Sequence, residues 1–245
     1  MTLDPWYVTA FGDDYREVYP HRDLETARQE VAWILKQGIG GRVLDLCCGF
    51  GRHSLALARA EIDVFGIDLS ADLLQHSRKL PDASLLAGRL ACADARSLPF
   101  GDASFDGFVN LFTSFGYFGE EGDRQVMQEM ARVLRPGGLA LIDLMNPTRI
   151  RANLVPESLA ERDGMQLRES RALEENGKRV TKEVEITFAD GRVRAWREDV
   201  RMFEPEEIDR DLAQCGLDRV ARYGSFAGED FGDDSERQLI LLRKR

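Results

Sequence analysis

The sequence is poor in the residues that most often hold metals. It has 3 histidines and 4 cysteines in 245 residues. The cysteines form no C-x-x-C pair, which disfavours a zinc site. Adjacent cysteines seldom form a disulfide because the resulting ring is strained. We therefore expect reduced thiols and no metal at Cys47, Cys48, Cys92 and Cys215.

The sequence also lacks a secretion signal, a membrane-length apolar run and an excess of positive charge. The first residues, MTLDPWYVTA, contain neither a basic region nor an apolar core. We therefore expect a cytoplasmic protein without a membrane span. The net charge of −10 disfavours nucleic acid as a partner, since phosphate binding requires a basic surface. A local basic face stays open as an alternative.

Short apolar segments alternate with helical segments in the first 147 residues. The apolar segments are RVLDL, DVFGIDLS, RLACADA, SFDGFVNLF and LALIDLMN. Apolar strands alternating with helices are typical of a parallel sheet covered on both faces. The sequence therefore predicts an α/β fold.

The pattern changes after Pro147. Three extended runs, MQLRESRALEE, RVTKEVEITFA and RVRAWREDVRMF, are separated by the hairpin signals NGK and DGR. We predict a three-stranded antiparallel β insert over residues 148–203, a possible lid or dimer contact. Residues 1–147, with a helical amino-terminal segment, and 204–245 would form the main domain.

The stretch VLDLCCGFGRHSLALA combines a strand, a glycine turn and a helix. Such a turn presents backbone N–H groups and a positive helix end at the carboxyl edge of the sheet, where nucleotides bind. The residues Gly49, Gly51 and Ser54 only partly match the dinucleotide fingerprint G-x-G-x-x-G. A carboxylate at Asp45 suits a cationic ligand, or orders the loop, and is a poor neighbour for a pyrophosphate.

Two further acids follow the next two predicted strands. Asp68 can accept both hydroxyls of a ribose, and Asp94 can accept an adenine amino group. The three acids and the glycine turn together indicate an adenosine that carries no phosphate.

These segments resemble the motifs of the class I S-adenosylmethionine-dependent methyltransferases, of the small-molecule type. The similarity covers roughly residues 40–146 and includes VLDLCCGFG, GIDLS, ACADARSLPFGDASFDGFVNLF and EMARVLRPGGLALIDL, in the family's order. It implies a Rossmann-like seven-stranded sheet with helices on both faces. It also implies that the last strand, RQLILLRKR, runs antiparallel to the others.

The resemblance implies S-adenosyl-L-methionine as the cofactor and a set of residues around it. Cys47 stands where the family usually has glycine, so we expect its backbone to avoid dihedral angles that only glycine adopts easily. His53 is expected at the helix surface or the cofactor edge, and not as a base. The implied cofactor-binding residues are Asp45, Cys47, Gly49, Gly51, Asp68, Leu69, Asp94, Ala95, Asn110 and Leu111.

The resemblance further implies methyl transfer to a small-molecule acceptor by in-line displacement. Such a reaction needs positioning and exclusion of water, and a base only if the acceptor arrives protonated; the sequence identifies no catalytic residue. The protein would act as a monomer or homodimer. Candidate substrate residues are Tyr15, Tyr19, Arg22, Phe115 and Tyr117.

Two other functions stay open at this point. One is a noncatalytic module that binds S-adenosylmethionine, since no catalytic base is required for comparison. The other is a nicotinamide-dependent oxidoreductase, against which stand Asp45 and the serine at the third glycine position. The sequence does not specify the acceptor or the atom that is methylated.

Overall fold

A computed structural model describes residues 5–12, 19, 23–162 and 164–245. Seven strands form one sheet in the order β10-β11-β5-β4-β1-β2-β3, and four form a second sheet in the order β6-β7-β8-β9. No helix in these described ranges is long and apolar enough to cross a membrane. The strands are β1 (Arg42–Leu46), β2 (Asp63–Asp68), β3 (Leu90–Cys92), β4 (Phe105–Asn110), β5 (Leu134–Met145), β6 (Glu157–Arg162), β7 (Met165–Glu174), β8 (Arg179–Thr187), β9 (Val193–Arg201), β10 (Leu217–Tyr223) and β11 (Arg237–Lys244).

Helices cover the first sheet, and side-chain caps fix the starts of two of them. Asp23 accepts a hydrogen bond from the backbone N of Thr26 (2.7 Å), and Ser70 accepts one from that of Leu73 (3.1 Å). The helices are α1 (Trp6–Thr9), α2 (Leu24–Lys36), α3 (Arg52–Arg59), α4 (Ala71–His76), α5 (Gly119–Val133), α6 (Pro147–Asn153) and α7 (Pro205–Gln214).

The seven-stranded sheet confirms the predicted fold class. Strands β1, β2, β3, β4 and β5 pair in parallel, and β11 runs antiparallel to β5, as the resemblance implied. Buried side chains on the two faces of this sheet form two large apolar clusters. The carboxyl ends of β1, β2 and β4 therefore meet at one edge, where the loops that follow them lie close together.

The insert has four strands, and the predicted number of three was wrong. Strands β7, β8 and β9 correspond to the three predicted runs. The additional strand β6 has the sequence ESLAER, which lacks the β-branched and aromatic residues that mark a strand. Its conformation depends on pairing with β7, from Glu157 opposite Ser170 to Arg162 opposite Met165, and a local pattern does not reveal such a pairing.

Hydrogen bonds join the second sheet to the carboxyl edge of the first and to the amino-terminal segment. The backbone N of Arg201, at the end of β9, donates to the carbonyl of Gly116 (2.9 Å) in the loop after β4. The guanidinium of Arg194 donates to the carbonyl of Thr9 (2.7 Å) at the end of α1. The insert is therefore joined to the loops of the edge and to the amino-terminal segment.

Candidate cofactor site

The loop between β1 and α3 turns sharply because three of its residues have positive φ. These are Cys47 (61°), Gly49 (59°) and Gly51 (82°). The backbone N of Cys48 donates to the carbonyl of Ile67 in β2 (2.8 Å). The loop is thereby fixed against the neighbouring strand, at the start of α3.

Cys47 does not avoid the left-handed region, so that expectation was wrong. With φ at 61°, its backbone occupies a conformation that costs a non-glycine residue roughly 1–2 kcal/mol. The thiol packs partly buried against the apolar cluster on one face of the sheet. Burial raises the pKa of this thiol well above its usual range, with further contributions from Asp68 and Asp45. Cys47 is therefore a protonated loop residue, held in a strained turn by the hydrogen bonds around it.

Asp68 joins two turns at the edge of the sheet. One carboxylate oxygen accepts from the backbone N of Gly49 (2.8 Å), and the other accepts from that of Ser70 (2.8 Å). Burial raises the pKa of this carboxyl, and the hydrogen bonds from Ser70 and Gly49 oppose that shift. The loop-ordering role considered for Asp45 in the sequence therefore belongs to Asp68.

Asp45 lies beneath the same loop and is 2% exposed. Its Oδ2 accepts a hydrogen bond from the hydroxyl of Ser54 (2.6 Å). Burial raises the pKa of the carboxyl to about 6, although Ser54 and Arg52 oppose the shift. An acid with so perturbed a pKa next to a cavity marks a candidate functional site.

A cavity opens at this edge, between the glycine loop, α4 and the loop after β4. Aromatic rings of the amino-terminal segment cover it: Trp6 lies 4.7 Å from Tyr117, and Tyr7 lies 4.8 Å from Phe118, between ring centroids. Its wall combines a carboxylate with aliphatic and aromatic side chains, which suits an adenosyl group. The lining residues are Tyr7, Phe11, Cys47, Gly49, Asp68, Leu69, Leu73, Ser114, Tyr117 and Phe118.

Comparison with known proteins agrees with this geometry. Residues 43–138 match a family model described as a methyltransferase domain. Residues 43–138 therefore form a methyltransferase domain. A demethylmenaquinone methyltransferase from Listeria welshimeri is 38% identical over 125 residues, which cover 49% of this chain and 52% of the relative. The chain thus spans about half the length of the curated relatives it matches.

Two solved structures resemble the chain over nearly its whole length. The CcbJ methyltransferase from Streptomyces caelestis has a TM-score of 0.80 at 20% identity, covering 96% of this chain and 97% of that one. CalS10, an amino pentose methyltransferase from Micromonospora echinaspora, has a TM-score of 0.67 at 23% identity, covering 94% and 96%. These likenesses show that the insert belongs to a known fold.

The structure brings five of the predicted site residues to the cavity. They are Cys47, Gly49, Asp68, Leu69 and Tyr117. Other lining residues were not predicted, among them Tyr7 and Phe11. The aromatic richness of the first residues was the available signal for these two, but it does not specify which rings turn inward.

Several other predicted cofactor residues do not line the cavity. Asp94 pairs with Arg96, with an Oδ2–Nη2 distance of 2.6 Å. The amide of Asn110 is fully buried and donates to the carbonyl of Leu46 (3.0 Å). Ala95 and Leu111 are also buried. Gly51 precedes α3, and Asp45 supports the loop from beneath.

The predicted substrate residues separate into four groups. Tyr117 lines the cavity, while Tyr15 and Arg22 lie outside the described residues. Phe115 is fully buried and its ring lies 5.2 Å from that of Phe203. Its assignment to a substrate wall was wrong, because the turn after β4 directs it into the core. Tyr19 contacts the insert, as described below.

His53 is buried, which corrects its expected position at the helix surface. Its Nε2 lies 2.7 Å from Oε2 of Glu30, and Nη1 of Arg52 lies 3.3 Å from the same oxygen. The first turns of α3 pack against α2. The polar side chains of these turns are therefore enclosed between the two helices. Glu30 itself interrupts the apolar face of α2 and could have indicated a buried partner.

We expect Cys47→Gly to leave the protein at least as stable as the wild type. Loss of the left-handed strain, about 1 kcal/mol, offsets the lost contacts of the thiol. Cys48→Gly is the control, since Cys48 has no positive φ; it should lower the free energy of unfolding by about 1–2 kcal/mol. Urea unfolding measures both. Equal destabilisation by the two changes would contradict the strain at Cys47.

We expect Asp45→Asn to stabilise the protein at pH 8 and to have no effect near pH 4. The folded pKa of about 6 lies above the usual value of 3.8. The folded state thus holds the proton more tightly, and this stabilisation is lost as the pH rises through 6. Asparagine stays neutral and should recover up to ~3 kcal/mol at pH 8.

Urea unfolding from pH 4 to pH 8 tests this expectation. Asp233→Asn, which makes the same change at an exposed position, serves as the control. A stability difference that does not vary with pH would show that the carboxyl of Asp45 does not titrate as described.

Proposed function

We propose that this chain is an S-adenosylmethionine-dependent methyltransferase that acts on a small-molecule acceptor. The observation that carries the proposal is the cavity in which Asp68 lies beside the glycine loop, at the joint carboxyl edge of β1 and β2. The methyltransferase domain over residues 43–138 supports the same function.

The side chains around the cavity fit the adenosyl part of the cofactor. Each carboxylate oxygen of Asp68 accepts one backbone N–H and retains a second lone pair for a ribose hydroxyl. Leu69, which is 38% exposed, and Leu73 offer an apolar surface to the adenine. Asp45 supplies negative charge near the glycine loop, which favours a cationic ligand.

The chain's part in the reaction is positioning and exclusion of water. When bound, the cofactor supplies an electrophilic methyl group on its sulfonium. The rings of Trp6, Tyr7 and Phe11 would cover the cavity and keep water from the reacting atoms. The loop of Ser114, Tyr117 and Phe118 would orient the acceptor for in-line attack.

A nicotinamide-dependent oxidoreductase fits the site less well. The position of the third glycine in the dinucleotide fingerprint is Ser54, and its hydroxyl binds the buried carboxylate of Asp45 (2.6 Å). A buried acid beneath the loop repels a pyrophosphate. The methyltransferase domain match disfavours this alternative as well.

We propose that the insert, residues 148–203, forms the acceptor wall and selects a polar molecule. On its inner face, Lys182 donates to the hydroxyl of Tyr19 (2.7 Å), which in turn donates to Glu198 (3.0 Å). The indole of Trp196 also donates to Glu198 (3.1 Å). This hydrogen-bonding surface suits an acceptor with amine or hydroxyl groups, such as an amino sugar, better than an apolar quinone.

The comparisons also favour a polar acceptor over an apolar quinone. The curated demethylmenaquinone methyltransferases match about half of this chain, whereas the amino pentose methyltransferase covers 94% of it, including the insert. Similarity to the quinone enzymes therefore supports the assignment of the cofactor domain, but it does not indicate which acceptor the insert binds. The net charge of −10 favours a small acceptor over nucleic acid.

We expect S-adenosylmethionine and S-adenosylhomocysteine to bind in calorimetric titrations, with NAD as the negative control. Asp68→Ala should weaken binding by roughly 1–3 kcal/mol, the effect of losing charged hydrogen bonds. Asp94→Ala should have a smaller effect, because that carboxylate is already paired with Arg96. Binding of NAD alone would contradict the proposed function, and unchanged affinity in Asp68→Ala would remove the ribose assignment.

We expect turnover with small amino sugars, measured as release of S-adenosylhomocysteine. Lys182→Met should reduce turnover with such acceptors, because it removes a donor from the proposed wall. Lys178→Met, on the exposed turn before β8, is the control. Turnover restricted to quinones would overturn the acceptor assignment while leaving the methyltransferase assignment in place.

A further inference from the structure

Two consecutive residues of the loop after β4 adopt the left-handed conformation without being glycine. Phe112 and Thr113 both have φ of 58°. For a β-branched or bulky residue this conformation is a genuine outlier, which persists only where the surroundings enforce it. The same loop continues into Ser114, Tyr117 and Phe118, which line the cavity. The strain therefore lies directly before the residues that would contact the cofactor.

Asp143 holds both strained residues. It lies at the carboxyl end of β5 and is fully buried. Its Oδ2 accepts from the backbone N of Phe112 (2.7 Å), and its own carbonyl accepts from that of Thr113 (3.0 Å). A single residue of the neighbouring strand thus satisfies the two backbone donors that the unusual turn presents.

The charge of Asp143 is balanced by the last strand. Nη1 of Arg237, in β11, lies 3.3 Å from Oδ1 of Asp143. The guanidinium of Arg237 also lies 4.4 Å from the centre of the Phe112 ring, and that of Arg52 lies 4.1 Å from it. These distances allow cation–π attraction. The backbone and the ring of Phe112 are therefore both held in place.

The rest of the loop transmits this geometry to the cavity. The amide of Asn110 donates to the carbonyl of Ser114 (3.3 Å). At the far end, the backbone N of Phe118 donates to the buried carboxylate of Asp123 (3.1 Å). Both ends of the loop are thus hydrogen-bonded to buried carboxylates, and Ser114 and Tyr117 lie between them.

We propose that Asp143 is a positioning residue, which forces Phe112 and Thr113 into the left-handed turn and so places Ser114, Tyr117 and Phe118 against the cofactor. It acts through the loop, since it is not among the residues that line the cavity. The inference rests on the proposed function, because the ligand that the loop would contact is S-adenosylmethionine.

The variant Asp143→Asn separates charge from shape. Asparagine has one carbonyl oxygen for two donors, so its NH₂ group must face either Phe112 N or Arg237. We expect S-adenosylhomocysteine to bind about tenfold more weakly. In Asp143→Asn/Arg237→Gln, the glutamine carbonyl can accept from the asparagine amide, and Arg52 still lies over the Phe112 ring. The affinity should therefore return to within about twofold of the wild type.

Changes at Thr113 test positioning independently of folding. Glycine adopts the left-handed conformation without strain, so Thr113→Gly should reduce the effect of Asp143→Asn on affinity to about twofold or less. Thr113→Ala also removes the side chain but keeps the strain, and should leave the tenfold effect unchanged. A merely structural role for Asp143 predicts the same effect of Asp143→Asn in both backgrounds.

Amide exchange in the free protein distinguishes failure of this inference from failure of the proposed function. The N–H group of Phe112 should exchange at least about tenfold faster in Asp143→Asn, because its side-chain acceptor is lost or displaced. Unchanged exchange, or equal affinity effects in the glycine and alanine backgrounds, would overturn the positioning role. A wild type that binds no S-adenosylhomocysteine would overturn the proposed function, and exchange would still test the hold of Asp143 on the loop.

Discussion

The carboxylate of Asp68 holds two turns of the chain together, and the rest of the site depends on that contact. Parallel pairing of β1 with β2 places Asp45 opposite Gly66 and Leu46 opposite Ile67, so the loops after both strands begin at the same edge. Asp68 then accepts one N–H from each loop. Because the two strands are adjacent, a single side chain can fix the glycine turn and the start of α4 at once.

Strain and buried charge are concentrated at the same edge. Cys47, Phe112 and Thr113 have left-handed backbones there, and burial raises the pKa values of Asp45, Asp68 and Asp143. None of these features stabilises a sheet by itself. They are understandable together if the edge is shaped for a ligand, since functional sites are where proteins retain strained conformations and perturbed acids.

Much of the fold could be predicted because its signals are local. Apolar strands, hairpin turns and the helix caps Asp23 and Ser70 are all readable in short segments. Strand β6 could not be predicted in this way, since it exists only by pairing with β7. The same limit applies to Phe115 and His53, whose burial is decided by elements distant in sequence.

The candidate site was predictable to the extent that it lies on the motifs. Gly49, Asp68 and Leu69 follow directly from strand ends and a glycine turn. The roles of Asp143 and of the amino-terminal rings depend on contacts across about 30 to 110 residues of sequence, which no spacing rule encodes. The expectation for Cys47 failed for a different reason. A side chain disfavours the left-handed conformation, but the hydrogen bonds of neighbouring residues enforce the turn at Cys47.

The structure of the complex with S-adenosylhomocysteine is the measurement that tests the central claim most directly. The account predicts that the ribose hydroxyls bind the carboxylate of Asp68, that the adenine packs on Leu69 and Leu73, and that Tyr117 borders the sulfur. A ligand bound elsewhere, with Asp68 contacting only the backbone N–H groups of Gly49 and Ser70, would contradict the account.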